Sequence, residues 1–277
     1  MTRTIHDLLP ASGRAAVMGI LNLTPDSFSD GGQLLAGGAF APDRLLARAR
    51  DMLEEGVDIF DVGGESTRPG ASPVPVEEEL ARVVPAVRLL KRHFDRPVSV
   101  DTSEPAVIAA VAAEGADMIN DVRALTRPGA LAAAARAGLP VCVMHMRGTP
   151  LTMQDNPRYD NVVREVADYL DERVSACEAA GIRHDRIAID PGFGFGKSLA
   201  HNLALFRHLG EFTARPLPVL IGVSRKGMVG DIVNRPVNER IVGSAALALL
   251  AAQRGARILR VHDVAATVDV LNVLEAV

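Results

Sequence analysis

Residues 97–121, PVSVDTSEPAVIAAVAAEGADMIND, contain the clearest indication of the fold of this chain. A short apolar run ends at Asp101, and a second apolar run ends at Asn120 and Asp121. The alanine-rich stretch between the two runs has the composition of a helix, and Gly115 stands where that helix would end. A strand, a helix and a second strand in this order form a βαβ unit, whose two strands are parallel.

The same alternation continues along the chain and predicts eight strands, at residues 16–20, 57–61, 97–101, 117–121, 140–144, 187–190, 218–223 and 257–262. Most of these runs are continuously apolar, which is typical of strands buried on both faces of a parallel sheet. The segments between them have helical periodicity, and a last helix is expected at 263–276. Glycines are expected to end the helices at Gly56, Gly115, Gly138, Gly181 and Gly255.

Eight strands alternating with eight helices favour an α/β fold that closes as a (β/α)8 TIM barrel, although an open doubly wound sheet has the same periodicity. A barrel needs about 250 residues, so one such domain would use nearly all of the 277 residues. We therefore expect a single catalytic domain over 15–277, preceded by a loose lead-in at 1–14. Residues 22–41 are too many for an ordinary loop between strand and helix and are rich in Gly, Ser and Asp, as in lids.

Composition excludes several classes of function. The formal net charge of -4 provides no basic surface for nucleic acid and no polybasic membrane anchor. Cys142 and Cys177 form no CxxC pair, so we expect buried thiols in a reducing compartment and no zinc site. The longest apolar stretch, 245–252, is far shorter than the ~20 residues that span a bilayer, and the start of the chain does not resemble a signal peptide. These features predict a cytoplasmic protein.

A polar residue stands at or just past the carboxyl end of every predicted strand. In chain order these residues are Asn22, Asp61, Asp101, Asn120, His145, Asp190, Lys226 and the pair Arg260 and His262. In a (β/α)8 barrel this end carries the catalytic groups, so we interpret the set as one ring around an active site. Helix capping is the alternative, and it would account for one or two residues such as Asp121 or Asp263.

The residues of the ring form two groups with different chemistry. Arg260 and His262 are two apart and share one strand face, close to the loops that often bind phosphate in this fold. With Arg68 they could bind a phosphate or diphosphate, unless Arg260 only extends to solvent and His262 only caps the last helix. Asp101, Asn120, Asp190 and Lys226 could read a heterocycle with a guanidine-like edge; the alternative is an internal salt bridge between Lys226 and Asp190.

Two apparent motifs carry less weight. The segment 192–198, GFGFGKS, lacks the glycine that a P-loop needs at position 191, and it is not GxGxxG. We interpret it as a flexible loop with a solvated Lys197. His145 lies between Met144 and Met146, which suggests a soft metal site, but methionine beside a barrel end more often packs against a flat ring or in the core.

Eight segments together resemble the dihydropteroate synthase family, from about residue 17 to residue 274. They are 18–32 (MGILNLTPDSFSDGG), 61–70 (DVGGESTRPG), 100–102 (VDT), 119–121 (IND), 143–146 (VMHM), 190–197 (DPGFGFGK), 222–226 (GVSRK) and 260–264 (RVHDV). The resemblance implies condensation of 6-hydroxymethyl-7,8-dihydropterin diphosphate with 4-aminobenzoate. The products would be 7,8-dihydropteroate and diphosphate, in folate synthesis.

The resemblance also implies roles for individual residues and a homodimer that uses Mg2+. Asn22 matches the residue that meets the diphosphate through the metal, and Arg68, Arg260 and His262 match the diphosphate ligands. Asp101, Asn120, Asp190 and Lys226 match the pterin ligands, while Thr67, Pro69, Phe195 and Ser224 fall where 4-aminobenzoate binds. Met144 is a further substrate contact. Phe28 and Asp30 lie on the first loop, which closes over the site with the Thr67 loop.

Three other functions fit parts of this pattern. A pterin-dependent methyltransferase has a similar pterin-binding barrel but no diphosphate, so Arg260, His262 and the Asn22 loop would have no purpose. A Schiff-base aldolase would use Lys226 and would be trapped by borohydride with a carbonyl substrate. A non-catalytic pterin-binding partner of another enzyme would bind pterin without turnover.

Overall fold

The barrel is visible in the computed structural model, which describes residues 3–24, 34–36 and 39–277. Its eight strands are β1 (Ala16–Asn22), β2 (Ile59–Gly63), β3 (Val98–Asp101), β4 (Met118–Asp121), β5 (Val141–Met144), β6 (Ile187–Asp190), β7 (Leu220–Ile221) and β8 (Ile258–Val261). Every boundary lies within two residues of its predicted position, so the eight-strand prediction is confirmed.

The sheet closes on itself, which periodicity alone left undecided. All pairings between neighbouring barrel strands are parallel, in the order β6-β5-β4-β3-β2-β1-β8-β7. A parallel bridge between Ile189 and Val219 then joins the two ends of this order, β6 and β7. The open doubly wound alternative is therefore wrong.

Ten α-helices lie in the described part of the chain, two more than expected. They are α1 (Pro42–Glu54), α2 (Val76–His93), α3 (Pro105–Ala113), α4 (Ala130–Ala137), α5 (Val162–Ala179), α6 (Leu199–Arg207), α7 (Leu209–Thr213), α8 (Gly227–Val233), α9 (Ile241–Gln253) and α10 (Val264–Ala276). The connections after β6 and after β7 hold two helices each. A short antiparallel hairpin pairs Leu35–Ala36 with Ala39–Phe40 in the long first loop. None of the described helices is long and apolar enough to cross a bilayer.

Left-handed glycines precede five of the strands as predicted. Gly56, Gly115, Gly138, Gly181 and Gly255 have φ values of 93°, 87°, 66°, 93° and 91°. Glycine adopts this conformation without the steric penalty of a Cβ atom, so each one lets the chain leave a helix and enter the next strand.

Alternation along the strands places the polar ring inside the barrel. The inward face of the lower barrel is apolar and contains Ala16, Met18, Ile59, Met118, Cys142, Ala188, Leu220 and Ile258, all buried. Successive strand residues point to opposite faces, so the residue two positions further on has the same inward direction. That step leads from Met118 to Asn120, from Ala188 to Asp190 and from Ile258 to Arg260. The outward residues pack beneath the helices in a separate core cluster.

The described part of the N-terminal segment closes the bottom of the barrel, so the expectation of a loose lead-in is wrong. Ile5 and Leu8 are buried within the inward apolar cluster. The backbone N–H of Ile5 donates to the carbonyl oxygen of Asp185 at 2.9 Å, just before β6. Arg3 forms an ion pair with Asp117, just before β4. The segment therefore covers apolar side chains that water would otherwise reach.

Replacing Leu8 by alanine should lower the free energy of unfolding by about 2–4 kcal/mol, because it opens a cavity in the covered barrel end. Leu8 is 3% exposed, whereas Leu151 is 55% exposed. The matched control Leu151→Ala should therefore change stability by less than about 0.5 kcal/mol. Urea denaturation of both variants tests this, and equal small effects would contradict the closing role of the segment.

Candidate active site

A cavity of about 570 Å³ lies at the carboxyl ends of the strands. Ten of the predicted site residues line it: Asn22, Thr67, Arg68, Pro69, Asp101, Phe195, Ser224, Lys226, Arg260 and His262. They come from loops or strand ends distributed around the barrel, so only the closed sheet brings them together. A volume of this size is typical of small-molecule sites.

Four other predicted residues have a different placement. Asn120, Met144 and Asp190 are buried at strand ends and do not line the cavity. Asn120 is in register with Asp101 across β3 and β4, and Met144 is in register with Asp190 across β5 and β6. Phe28 lies outside the described residues, as does Asp30, so the structure says nothing of the predicted contacts of the first loop.

Arg260 is held between two carboxylates. Its Nε donates to Oδ2 of Asp61 at 2.6 Å, and its Nη2 donates to Oδ2 of Asp101 at 2.9 Å. Arg260 is thus an ion-paired group of the barrel mouth, and the idea that it only extends to solvent is wrong. Asp61 was expected near a strand end but lies within β2, fully buried, and its Oδ1 has no hydrogen-bond partner among the described residues.

The electrostatic setting of Asp101 raises its pKa, so protonated and ionised forms are both present near neutral pH. Burial raises the pKa of Asp101 to about 7, although the guanidinium of Arg260 opposes this shift. The negative charges of Asp61, Asp121 and Glu65 add to the rise. Arg260 shares its single positive charge between Asp61 and Asp101, so it does not fully neutralise the negative charge of either carboxylate.

Lys226 contacts the loop after β6. Its Nζ donates to the carbonyl oxygen of Phe193 at 2.6 Å and lies 4.4 Å from the centre of the Phe195 ring. The alternative salt bridge to Asp190 does not form; within the described chain, one Asp190 oxygen accepts from the backbone N–H of Gly192 at 2.7 Å instead. Burial lowers the pKa of Lys226 to about 8, while Asp190 opposes the shift.

His262 faces a cluster of positive charge. Its Nδ1 lies 3.1 Å from Oγ of Ser224, and its backbone N–H donates to the same oxygen at 3.2 Å. Burial lowers the pKa of His262 to about 3, and the charges of Arg260, Arg225 and Arg68 add to that shift. A neutral imidazole surrounded by guanidinium groups is a setting that an anion would stabilise.

The capping explanation fails for both residues that it was meant to cover. Asp263 stands at the N-terminus of α10 but makes no side-chain cap; its Oδ2 accepts from Nε of Arg225 at 2.9 Å. Asp121 accepts from the backbone N–H groups of Arg123 at 2.8 Å and Leu125 at 2.9 Å, which lie in a loop and not in a helix. Both carboxylates shape loops beside the cavity.

The prediction of a solvated Lys197 is wrong, because the residue is only 2% exposed. Its Nζ lies 2.8 Å from Nδ1 of His145, so His145 has a lysine for a neighbour. Within the described residues no group of three or more His, Cys, Asp or Glu side chains has the geometry of a metal site. A lysine amine, and not a group of metal ligands, thus lies next to Nδ1 of His145 in the described part of the chain.

Several residues that line the cavity are not among those predicted from the sequence. Glu65, Ser66, Met153, Gln154, Asn202 and Arg240 are among them. Glu65 forms a bidentate pair with Arg123, with distances of 2.7 and 3.1 Å. The pair links the loops after β2 and β4, although the two residues are 58 positions apart. The one sequence signal for Glu65 is that it lies two residues before Thr67, in a segment that already contains predicted site residues.

An Mg2+ ion carried in with a diphosphate would fit the donor chemistry at the end of β1. The Asn22 side chain lines the cavity and makes no hydrogen bond to a described residue, so its amide oxygen can serve as a ligand. A Cβ atom built on Gly63 would lie 3.6 Å from Oδ1 of Asn22 and 3.7 Å from Cβ of Asp101. The glycine thus leaves open space between these residues. Mg2+ often takes one or two protein oxygens and completes its shell with water and substrate phosphates.

Comparison with known proteins agrees with this geometry. The model of the pterin binding enzyme family matches residues 18–262. A dihydropteroate synthase of Haemophilus influenzae is 53% identical over 94% of this chain and 93% of its own length. The structure of Yersinia pestis dihydropteroate synthase with a sulfonamide drug complex superposes with a TM-score of 0.91, at 51% identity over 95% of this chain and 94% of that one.

A second solved structure adds a ligand. The dihydropteroate synthase of Xanthomonas albilineans with 4-aminobenzoic acid is 52% identical, with a TM-score of 0.87 over 95% of this chain and 93% of that one. The family model, the relatives and the barrel with its polar mouth agree over almost the whole length. The chain belongs to the dihydropteroate synthase family of pterin-binding enzymes.

Proposed function

We propose that this enzyme condenses 6-hydroxymethyl-7,8-dihydropterin diphosphate with 4-aminobenzoate to give 7,8-dihydropteroate and diphosphate, a step of folate biosynthesis. One observation carries the proposal: a single cavity holds Arg68, Arg260 and His262 together with Asp101 and Lys226. The first group suits a diphosphate and the second a polar heterocycle. A pterin diphosphate has both parts.

The diphosphate end of the substrate would meet Arg68, Arg260 and His262. Charge-assisted hydrogen bonds from guanidinium groups are among the strongest that bind phosphate oxygens. Arg260 uses Nε and Nη2 for Asp61 and Asp101, so in the proposed complex its remaining N–H donors would serve the diphosphate. His262 gains a proton more easily when an anion offsets the surrounding positive charge.

The pterin would extend towards the barrel axis, over the strand ends that carry Asp101, Asn120 and Asp190. These side chains offer the acceptors that a guanidine-like edge needs, and Lys226 offers a donor to a ring acceptor. Met144, buried beside Asp190, would pack against the flat ring. The buried positions of these residues would place the ring at the floor of the cavity.

The 4-aminobenzoate would bind at the outer part of the cavity, against Thr67, Pro69, Phe195 and Ser224. All four line the cavity, and the Phe195 ring supplies an apolar surface for the arene. Phe28 and Asp30 would join them when the first loop closes with the Thr67 loop. Closure would exclude water, which competes with the arylamine for the reactive carbon.

The reaction proceeds in two steps in our proposal. The bond between the pterin methylene carbon and the diphosphate oxygen breaks, and its electron pair leaves with the diphosphate. The resulting cation is delocalised into the pterin ring, where Asp101 favours its positive charge, while Arg68, Arg260 and His262 stabilise the departing anion. The amine nitrogen of 4-aminobenzoate then forms the new bond to carbon and releases one proton. The neutral arylamine is already nucleophilic and needs little help from a base.

Mg2+ would be held by Asn22 together with oxygens of the diphosphate. When bound, it supplies positive charge that neutralises the leaving group. Support for this assignment is the cavity-facing amide oxygen of Asn22, next to the space left by Gly63.

We further propose a cytoplasmic homodimer. Free, buried Cys142 and Cys177 are compatible with a reducing compartment. Exposed apolar side chains lie on the last helices: Ile241 and Val242 on α9 and Val273 on α10 are 38%, 82% and 58% exposed. Such a surface is suited to an isologous contact with a second copy.

Diphosphate release and mass spectrometry of the product test the proposed reaction. Dihydropteroate should form only when dihydropterin diphosphate, 4-aminobenzoate and Mg2+ are all present. Removal of Mg2+ with a chelator should lower the rate at least about 100-fold, because one developing charge loses its counter-ion. Addition of Mg2+ in excess of the chelator should restore it.

Three outcomes would change the assignment. Pterin binding without product would favour the methyltransferase or non-catalytic alternatives and contradict the proposed reaction. A borohydride-trapped adduct on Lys226 with a carbonyl substrate would favour the aldolase. Full activity in the presence of chelator would remove Mg2+ from the proposal and leave the protein residues as the only charge partners of the diphosphate.

A further inference from the structure

The loop at residues 192–197, here called the β6 loop, is pressed against the chain that follows β5. Gly192, Gly194 and Gly196 have φ values of 70°, 82° and 66°, a region that favours glycine. A Cβ atom at Gly192 would overlap the carbonyl oxygen of His145, and one at Gly196 would overlap that of Arg147. The loop therefore needs glycine, and its carbonyl groups need partners within the protein.

The Lys197 side chain provides two of those partners from inside. Its Nζ donates to the carbonyl oxygens of Gly192 at 2.8 Å and Phe195 at 3.1 Å, and it lies 2.8 Å from Nδ1 of His145. The Gly192 oxygen also accepts from the backbone N–H of Phe195 at 3.1 Å, so among the described residues the Phe195 carbonyl is the one that would lose its donor without the amine. The lysine thus joins both ends of the β6 loop to the end of β5.

The His145 ring is fixed in turn. It packs edge-on against Tyr169, with ring centres 5.0 Å apart, and lies 6.1 Å from Tyr159. Burial lowers the pKa of His145 to about 2, so its ring is neutral and Nδ1 can accept from Lys197. Burial also lowers the pKa of Lys197. A protonated amine has three N–H donors, for the two carbonyls and Nδ1; a neutral amine donates to the two carbonyls and its lone pair accepts from the Nδ1–H tautomer of His145.

The outer side of the β6 loop belongs to the active site. Gly194 and Phe195 line the cavity, and the Phe193 carbonyl oxygen accepts from Nζ of Lys226. The Phe195 ring lies beneath the same Nζ. A shift of the loop would therefore move the surface proposed for 4-aminobenzoate and the two contacts that place Lys226.

We propose that Lys197 is a positioning residue, which fixes the β6 loop from within and thereby sets the places of Phe195 and Lys226. Lys197 borders the cavity but is 2% exposed and directs its amine into the loop, so its effect would reach the reaction through the loop. The kinetic part of this inference rests on the proposed function. The conformational part does not, because it concerns the loop of the free enzyme.

The test compares Lys197→Met with Lys91→Met. Methionine keeps a similar stem and removes the amine, and Lys91 pairs with Asp117 far from the cavity, at 2.7 Å. In Lys197→Met, amide hydrogen exchange of residues 192–197 should rise at least about 10-fold, and the KM for 4-aminobenzoate should rise at least about 10-fold. Lys91→Met should change neither.

A pH profile distinguishes positioning from simple loss of stability. Lys226 faces Asp190, Asp101 and Arg260, and burial sets its pKa to about 8. If the β6 loop loosens, water reaches Lys226, so the alkaline limb of kcat/KM should move above pH 8. A variant that is merely less stable would have a lower Tm and an unmoved limb.

A second variant covers the case in which Lys197→Met does not fold. His145→Phe keeps an aromatic ring between the tyrosines and removes the ring nitrogen that contacts Lys197, so it should cause the same changes to a smaller extent. Unchanged loop exchange together with an unmoved alkaline limb, in whichever variant folds, would overturn the positioning role. If the wild-type enzyme makes no dihydropteroate but loop exchange still rises in Lys197→Met, the conformational inference holds and the proposed reaction is rejected.

Discussion

Asp101→Asn should lower kcat/KM roughly 100- to 1000-fold, which corresponds to about 3–4 kcal/mol of transition-state stabilisation. The substitution removes the negative charge that would favour the pterin cation and leaves Arg260 with Asp61 as its only carboxylate partner among the described residues. Steady-state kinetics and a pterin-binding titration measure the loss. An enzyme with unaltered turnover would remove Asp101 from the mechanism.

The pH dependence of kcat/KM tests the role of Asp101 independently. Burial raises the pKa of Asp101 to about 7, so the ionised form that the reaction needs increases as the pH rises through 7. Wild-type kcat/KM should therefore show an acid limb near pH 7, and Asp101→Asn should lack it. An acid limb that persists in the variant would assign it to another group.

The contribution of Asp101 to the free energy of unfolding should fall as the pH rises, whereas its contribution to kcat/KM should increase. Because the folded-state pKa of Asp101 is above its unfolded value, the native protein binds a proton that the unfolded chain has lost between about pH 4 and pH 7. Its contribution to stability is present below pH 4 and disappears as the pH rises through 7. Asp101→Asn should thus be at least as stable as the wild type at pH 8, as measured by urea denaturation.

Lys226→Met should lower kcat/KM by at least about 100-fold. The methionine keeps the aliphatic stem over the Phe195 ring but cannot donate to the Phe193 carbonyl or to a pterin acceptor. Burial raises the pKa of Asp190 and the positive charge of Lys226 opposes that rise, so loss of this charge makes the carboxyl harder still to ionise. Both effects weaken pterin binding, which a titration with the free pterin measures.

The alkaline limb is the specific readout for Lys226. Its pKa of about 8 predicts that wild-type activity falls as the pH rises through 8, since deprotonation removes the charge that Asp190 faces. In Lys226→Met this limb should be absent, whereas the control Lys91→Met should keep it. A limb near pH 8 in Lys226→Met would show that a different group titrates there.

Much of the fold could be predicted because its signals are local. Apolar runs of four to six residues, glycines before the strands and helical stripes each arise from neighbouring residues, so the eight strands lie where the sequence predicted them. Closure of the barrel depends on the contact of Ile189 with Val219, and no local signal contains a contact between distant strands. The second helices after β6 and β7 were missed because one long helical segment and two short ones have similar composition.

The ring of polar strand ends was predictable for the same reason, since parallel strands all end at one side of a barrel. The strand–helix order, the family and ten residues that line one cavity could all be inferred from the residues in order along the chain. The partner of each charge depends on the folded structure: Arg260 with Asp61 and Asp101, Lys226 with the Phe193 carbonyl, and Lys197 with His145. Those pairings join residues 33 to 199 positions apart. Burial and distance fix them, and both are properties of the folded chain.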